Sequence, residues 1–445
     1  MPANTNAPSR GDGRPRNAPR PAARIVIAGL GLVTPLGHAA WETFAALLAG
    51  RTLAERAERP DHIPADVAGV DLVRALGAVR VAQHGSSDPS IDLAERAGRE
   101  AMFQAGRQPR DVPMVLGTSK GAVKAMTDAR EALLQALARG QMDDPPTRLT
   151  HQAEAVVHGP QGHLTRQLHH RLGTPPHRHV VAACASSLTA LHYARDLLLA
   201  AANSKSEIRN PKSPPTAPDH VLVLTADAAL LPAFIHSYRR LGVLAPLTTT
   251  DYRQRPLDRR RQGFMLSEAG AAVLLKRLPP GVEPGIGEIE LLDTAVAAET
   301  HDIIRPAPTM PALRHVARRL LAERAIDMLH PHATGTPEHD PLELSIYADV
   351  LDEVAPSSHR RPTLYANKGA LGHSLGAAGL TAFVLACMTL RTGQRPPMPW
   401  LAEPMAEARG FTLTADAGPC SRTGTHAIFA AGFAGHVAGA VVQRH

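Results

Sequence analysis

The residue best placed to do chemistry is Cys184. It follows the apolar run Val180-Val181-Ala182-Ala183 and precedes Ala185-Ser186-Ser187, after which Leu188, Leu191, Ala194, Leu197 and Leu198 recur at helical spacing. The pattern predicts a strand-to-helix turn with the thiol at its helix start, where free N–H groups and the helix dipole favour a thiolate. A free thiol titrates near about 8.5 and such a position lowers it; the thiolate is the form that attacks a thioester. The small neighbours leave room for an acyl chain. Taken alone, the segment also fits a small cysteine packed in a core. Cys387, inside Phe383-Val384-Leu385-Ala386-Cys387-Met388, has the apolar setting without the turn and reads as core; Cys420 lies in a Gly-Pro loop.

Two further segments carry candidate acid–base groups. In His332-Ala333-Thr334-Gly335-Thr336-Pro337 a strand ends at His332 and a loop of small hydroxyl residues follows, suited to hydrogen-bonding an amide-rich ligand. Asp340 is expected to cap the next helix. In Asn367-Lys368-Gly369-Ala370-Leu371-Gly372-His373-Ser374, Lys368 follows a strand and His373 precedes a small-residue helix. The chain has 48 Lys+Arg, of which only six are Lys, so a lysine beside a histidine at a strand end points to a need for a compact charge. With 23 His, a lone histidine says little. Singly, His332 and His373 fit structural roles as well as catalytic ones; their joint placement in Gly/Thr/Ala-rich loops favours function. No HxxxH or CxxC spacing supports a zinc site.

Short apolar strands alternating with amphipathic helices must position these groups. Strands are expected at Ile25–Ile27 (left through the turn Gly29-Leu30-Gly31), Val115–Gly117, His179–Ala182, His220–Thr225 and Ala271–Leu275. A second series of similar texture covers Ile286–Ala297, Met328–His332, Thr363–Ala366, Gly410–Leu413 and His426–Ala430. This is an α/β pattern with largely buried sheets. It divides into a tail at 1–22 expected to be disordered, a nucleophile-bearing half at 23–283 and a His/Lys/His half at 284–445. Asn203–Pro218 reads as a surface loop.

Composition narrows the function. The chain has 445 residues, 44% hydrophobic and only 3% aromatic, which supports a large core and argues against recognition of single-stranded nucleic acid by stacking. The net charge of +7 is consistent with an acidic partner and equally with a solvated basic surface. Three widely spaced cysteines indicate neither a disulfide framework nor a metal site and fit a cytoplasmic location. The longest apolar runs, such as Ala377–Leu385, are too short to span a bilayer, so no membrane partner is expected.

Together, Cys184 in Ala-Cys-Ala-Ser-Ser, His332 in His-Ala-Thr-Gly-Thr-Pro, and Lys368 with Gly372-His373, in that order, resemble the β-ketoacyl-[acyl-carrier-protein] synthases. The resemblance extends to Arg24-Ile-Val-Ile-Ala-Gly-Leu-Gly-Leu-Val-Thr-Pro-Leu-Gly37, to Arg255-Pro-Leu-Asp258, and to Gly263-Phe264 with Glu268. It implies a thiolase-like fold: duplicated βαβαβαββ halves in a five-layered αβαβα sandwich, as a homodimer or a heterodimer with a related subunit. It implies decarboxylative Claisen condensation in fatty-acid or polyketide biosynthesis, with substrates on the phosphopantetheine of an acyl carrier protein and no other cofactor or metal. By that resemblance Cys184 takes the acyl chain, and His332 and His373 promote decarboxylation. Lys368 supports them, the N–H groups of Cys184 and Phe433 form the oxyanion hole, and Thr334, Thr336 and Phe264 contact substrate.

Five positions depart from the family pattern: Ala431 replaces a second gating Phe, His436-Val437 replaces Thr-Asn, Ala333 replaces Gly, and Ala382 replaces a Glu. A non-catalytic, chain-length-factor-like partner is the alternative; such partners generally lose the nucleophile. A thiolase is a further one, but it needs a second Cys in a Cys-x-Gly setting, which Cys420-Ser421-Arg422 does not provide.

Overall fold

The computed structural model describes residues 23–56, 78, 88–139, 147–203, 218–246, 254–354 and 361–445. The tail at 1–22 and the loop positions 204–217 lie outside them.

In chain order the elements are β1 (Ile25–Val33), α1 (Ala40–Leu48), α2 (Pro89–Gln104), β2 (Met114–Gly117), α3 (Val123–Ala138), α4 (Thr147–Leu172), β3 (Pro176–Val180), α5 (Ser186–Asn203), β4 (His220–Asp227), α6 (Pro232–Arg240) and β5 (Ala269–Arg277). They continue with β6 (Ile289–Ala298), α7 (Pro311–Leu321), β7 (Met328–His330), α8 (His339–Val354), β8 (Thr363–Leu364), α9 (Lys368–Leu371), α10 (Ala378–Thr392), β9 (Gln394–Arg395), β10 (Gly418–Pro419), β11 (Thr425–Ala431) and β12 (His436–Arg444).

The large sheet runs β3-β2-β4-β5-β1-β6-β12-β11-β7-β8. It is two five-stranded groups joined where β1 meets β6, at the single pair Val26–Glu290. Counting strands within each group, both have the order 3-2-4-5-1. In both, strands 3, 2 and 4 are parallel while strands 4, 5 and 1 alternate in direction. Identical connectivity in two successive stretches is the mark of a duplicated unit.

Helices α5 and α10 pack against each other and against strands of both groups, forming a shared middle layer. Helices α2 and α4 cover the far face of the first group, and α7 and α8 that of the second. The result is the α–β–α–β–α layering expected. Its strands are fully buried along β4 and most of β5 and β11, which explains their near-continuous Val/Leu/Ala runs.

Several expectations are corrected. The chain does not turn at Gly29–Gly31: β1 continues through nine residues, and the two glycines let the backbone of α2 at Ala97 and Ala101 approach where any Cβ would overlap it. Gly410–Leu413 is not a strand; Thr412 makes only an isolated bridge to Thr363. The final strand β12 was not anticipated, because its small residues Ala438, Gly439 and Ala440 give no periodic signal. Leu375–Thr392, contrary to the length argument, is apolar enough to cross a membrane by composition (mean hydropathy 1.5), yet 89% of it is buried inside the protein as the middle layer.

Candidate active site

β3 ends at Val180, and the chain reverses into α5 through Ala182–Ala185. Ala183 takes a left-handed conformation (φ 46°), and Ser186 locks the turn: its Oγ accepts from Ala182 N–H at 2.8 Å and donates to Ala183 O at 2.6 Å. This sharp elbow puts the Cys184 side chain at the floor of a cavity of about 290 Å³, two residues before the helix starts. The backbone at Gly432, pinned by its N–H to His436 O at 2.7 Å, passes directly over Cys184 N.

His373 Nε2 lies 3.2 Å from Cys184 Sγ. Its backbone is held as if in a strand, its N–H donating to Met265 O at 2.7 Å and its carbonyl accepting from Ser267 N–H at 3.1 Å. Phe264 packs edge-on against the His373 ring at 4.9 Å. The His332 ring stands 5.4 Å from that of His373, centre to centre. Behind it, Glu343 accepts the N–H of His332 at 2.6 Å, the N–H of Ala333 at 2.7 Å and the hydroxyl of Tyr347 at 2.7 Å, fixing the His332 loop. Lys368 is buried and donates from Nζ to His332 O. Gln254 bridges Lys368 O and Met265 N–H, tying the Lys368–His373 segment to the Phe264–Ser267 segment that pairs with His373.

Electrostatics follow from burial. Desolvation pushes the Cys184 thiol up to about 12, against the pull of Lys368 and Lys120. Burial thus acts against the lowering expected of a helix start, because it penalises a sulfur anion in the cavity. Desolvation, reinforced by Lys368, holds His332 and His373 well below an ordinary imidazole, so both are neutral. Lys368 is itself lowered by burial to about 8, with Glu343 opposing. The resting pair is therefore a thiol facing a neutral imidazole, which is poised to take its proton during attack.

Of the residues singled out from sequence, Cys184, Phe264, His332, Thr334, Thr336, His373 and Phe433 all line this one cavity, and Lys368 lies directly behind His332. Thr334 and Thr336 share a hydroxyl contact at 3.2 Å. Asp340 does not cap α8: it is the helix's second residue, buried, and its carboxylate accepts the N–H groups of Gly335 and Leu257.

Sequence reasoning missed Tyr238, which stacks on Phe433 at 6.2 Å, along with Gln254, the bridging role of Glu343, and His339. Tyr238 sits in a helix with ordinary amphipathic spacing, and Gln254 in a segment without pattern, so neither carried a signal. Glu343 was visible only as an acidic residue eleven positions after His332.

A buried thiol paired with an imidazole at a strand-to-helix elbow, in a cavity shared with a second neutral imidazole, defines a thiol-dependent acyl-transfer site on a duplicated α/β fold. Comparison with known proteins gives the family. The profile of the β-ketoacyl synthase N-terminal domain matches residues 22–204 and that of its C-terminal domain residues 289–401. The chain belongs to the β-ketoacyl synthase family, the condensing enzymes of fatty-acid and polyketide synthesis.

It is 24% identical over 399 residues to the 3-oxoacyl-[acyl-carrier-protein] synthase 2 of Coxiella burnetii, covering 84% of this chain and 87% of that one. It is 29% identical over 223 residues to the 6-methylsalicylic acid synthase of Aspergillus niger, 48% of this chain but 12% of that much longer protein. Among solved structures, a type II polyketide synthase acyl-carrier protein in complex with its ketosynthase matches with TM-score 0.72 at 17% identity, over 95% of this chain and 100% of that one. The ishigamide ketosynthase/chain length factor matches with TM-score 0.71 at 20% identity, over 96% and 100%. These structures bear out the thiolase-like architecture.

Proposed function

We propose that the chain is an active elongating synthase that condenses an acyl group held on Cys184 with a malonyl-type extender, both delivered by an acyl carrier protein. The observation that carries this reading is the 3.2 Å approach of His373 Nε2 to Cys184 Sγ inside a cavity that His332 shares.

In the first half-reaction the Cys184 sulfur attacks the thioester carbonyl as its proton passes to His373 Nε2. The carrier thiolate leaves and receives that proton. The N–H groups of Cys184 and Phe433 stabilise the tetrahedral oxyanion. In the second, the extender's carbon–carboxylate bond breaks, CO₂ departs and the electron pair becomes a thioester enolate. His332 and His373 hydrogen-bond its oxygen. Burial keeps both rings neutral, so each donates through the one nitrogen that carries hydrogen; at His373 that requires the tautomer with hydrogen on Nε2, reached after Cys184 is acylated. The enolate carbon bonds to the acyl carbonyl carbon, and the Cys184 sulfur leaves and regains one proton from the medium. Lys368 braces the His332 segment, and Thr334 and Thr336 meet the phosphopantetheine arm.

The enzyme works in the cytoplasm as a homodimer. An edge-to-edge pairing is supported by β3, which pairs with β2 on one side and is largely exposed through Pro176–Arg178, with Val181 54% exposed. The test is mass spectrometry after incubation with acyl carrier proteins bearing a panel of acyl chains. The expected result is one acyl mass on Cys184 and its transfer to malonyl carrier protein as a β-ketoacyl product. A protein that folds but is never acylated at Cys184 supports the non-catalytic partner reading instead.

A further inference from the structure

Tyr238 carries a polar atom that the folded chain does not use. Its ring, on α6, lines the Cys184 cavity and is held between two others: Phe433 stacks on it at 6.2 Å and Phe264 meets it edge-on at 6.0 Å. The residue is only 7% exposed. Its hydroxyl makes no hydrogen bond among the described residues, yet it is not sealed in as the Tyr365 hydroxyl is, so a molecule in the cavity can reach it.

The surroundings define the missing partner. Burial, with Cys184 and Asp227 adding to it, raises the phenol far above its ordinary value, so the oxygen keeps its hydrogen and donates. Neither of those two groups takes the bond: Asp227 accepts Ser119 and Lys120 N–H, and the Cys184 sulfur is matched with His373. The wall around the hydroxyl is otherwise apolar, since Val243, Phe264 and Phe433 pack with Cys184 in one cluster. Thr334 and Thr336 line the cavity from a different loop, the one after β7. A hydrocarbon chain on the sulfur suits the apolar wall, and one fixed donor in that wall suits one acceptor oxygen on the chain. A saturated chain displaces water from the hydroxyl and offers it nothing in return.

We propose that Tyr238 is a specificity-determining residue whose hydroxyl donates to a ketone or hydroxyl oxygen on the acyl chain of Cys184, so that the site takes oxygenated acyl groups in preference to saturated ones. The inference rests on the condensing-enzyme reading, which supplies the acyl thioester, and adds the class of acyl group. Acylation of Cys184 is followed by intact-protein mass spectrometry with the N-acetylcysteamine thioesters of hexanoic, 3-oxohexanoic and 5-oxohexanoic acids. Each oxo rate is divided by the hexanoyl rate in the same protein. Comparing that ratio between wild type and Tyr238→Phe cancels the intrinsic reactivity of the thioesters.

Tyr238→Phe keeps the ring between Phe264 and Phe433 and removes an oxygen that has no partner in the fold, so folding does not depend on it. For at least one oxo chain the ratio should fall roughly tenfold in the variant, the change expected of one well-made hydrogen bond. The hexanoyl rate should hold or rise, because the variant no longer leaves a hydroxyl facing methylene groups. Unchanged ratios for both oxo chains, with Cys184 acylated, overturn the inference and leave the condensing-enzyme reading standing. No acyl mass on Cys184 from any of the three thioesters, in either protein, overturns both.

Discussion

The loop after the second strand is pinned in the same way in both halves, by a buried carboxylate that accepts two consecutive backbone N–H groups. After β2, Asp227 accepts from Ser119 and Lys120 at 3.0 and 2.8 Å. After β7, Glu343 accepts from His332 and Ala333 at 2.6 and 2.7 Å. The turn into the middle helix repeats too: Ala183 before α5 and Leu375 before α10 both take left-handed φ values, 46° and 50°. What differs is the next side chain. In the first half it is Cys184. In the second it is Gly376, where a Cβ would come within 2.6 Å of Asp227 Oδ2 and of Ser119 N. Duplication thus supplied two sets of loop supports. One set presents a sulfur and the other an imidazole, while Gly376 lets the second elbow pack onto the first half's carboxylate and so brings His373 to the thiol.

The largest expected effect comes from removing the side chain that makes the elbows unequal. Cys184→Ala should cut condensation by at least ~10³-fold, the scale of losing a nucleophile, while malonyl decarboxylation continues because both imidazoles remain. Carbon dioxide release and β-ketoacyl product are measured separately. Loss of both together would show that the sulfur also shapes the decarboxylation site.

The two carboxylates sharpen the comparison next. Glu343→Ala leaves two buried N–H groups and the Tyr347 hydroxyl without their acceptor, at about 1–3 kcal/mol each before relaxation, and frees the His332 loop. Decarboxylation should fall roughly 10–100-fold, an estimate scaled from the sensitivity of catalysis to misplacement, with Cys184 acylation much less affected. Asp227→Asn keeps one acceptor oxygen and leaves the His332 loop and its Glu343 support untouched. It should lower thermal stability yet cost less decarboxylation than Glu343→Ala. The reverse order would place the functional support in the first half.

Chemistry was more legible in the sequence than architecture. Cys184, His332, Lys368 and His373 each sit at an abrupt change of pattern, where an apolar strand gives way to a loop of small residues, and such breaks are visible without coordinates. Short interior strands were found for the same reason, as in β4 and β11. Parts of the site that act through long-range hydrogen bonds left no local trace. Asp227 and Glu343 look like any acidic residue until folding brings Ser119 and His332 to them. The thiol's protonation could not be read either, because it depends on how completely the cavity excludes water.

The sheet interiors differ in a way that predicts acid sensitivity. In the first half Leu116 is paired with Leu224 across β2 and β4. In the second, β7 and β11 carry His330 and His426, both buried, with His330 Nε2 3.3 Å from His426 Nδ1. Burial lowers His330 to about 3 and His426 well below the ordinary value. Each must stay neutral to remain folded, whereas in the unfolded chain it protonates near about 6.5. The stability contribution is therefore complete above that value and is lost as pH falls toward 3, by up to about 1.4 kcal/mol per pH unit for each such histidine. Asp227 and Asp340, both raised to about 6 by burial, act in the opposite sense. The difference between proteins isolates the imidazoles: His330→Phe with His426→Leu should flatten the fall in Tm between pH 7 and 5, measured by calorimetry. Parallel curves would mean the pair is not what acid attacks.

The smallest effect concerns the elbows themselves. A non-glycine residue in the left-handed region costs about 1–2 kcal/mol, and glycine there relieves it while costing about 0.5–1 kcal/mol of chain entropy. For Ala183 the two terms nearly cancel, so Ala183→Gly should shift stability by less than about 1 kcal/mol, in the stabilising direction. Leu375 has the same strain, but its side chain is buried in the apolar cluster that surrounds Cys184. There Leu375→Gly removes core packing worth about 2–5 kcal/mol and should destabilise clearly. Denaturant titration of the two variants side by side measures the contrast. Equal losses would mean that Ala183, too, is held by its methyl group and that the catalytic elbow is a packed element like its counterpart, with its left-handed turn fixed by side-chain contact instead of by the Ser186 hydrogen bonds.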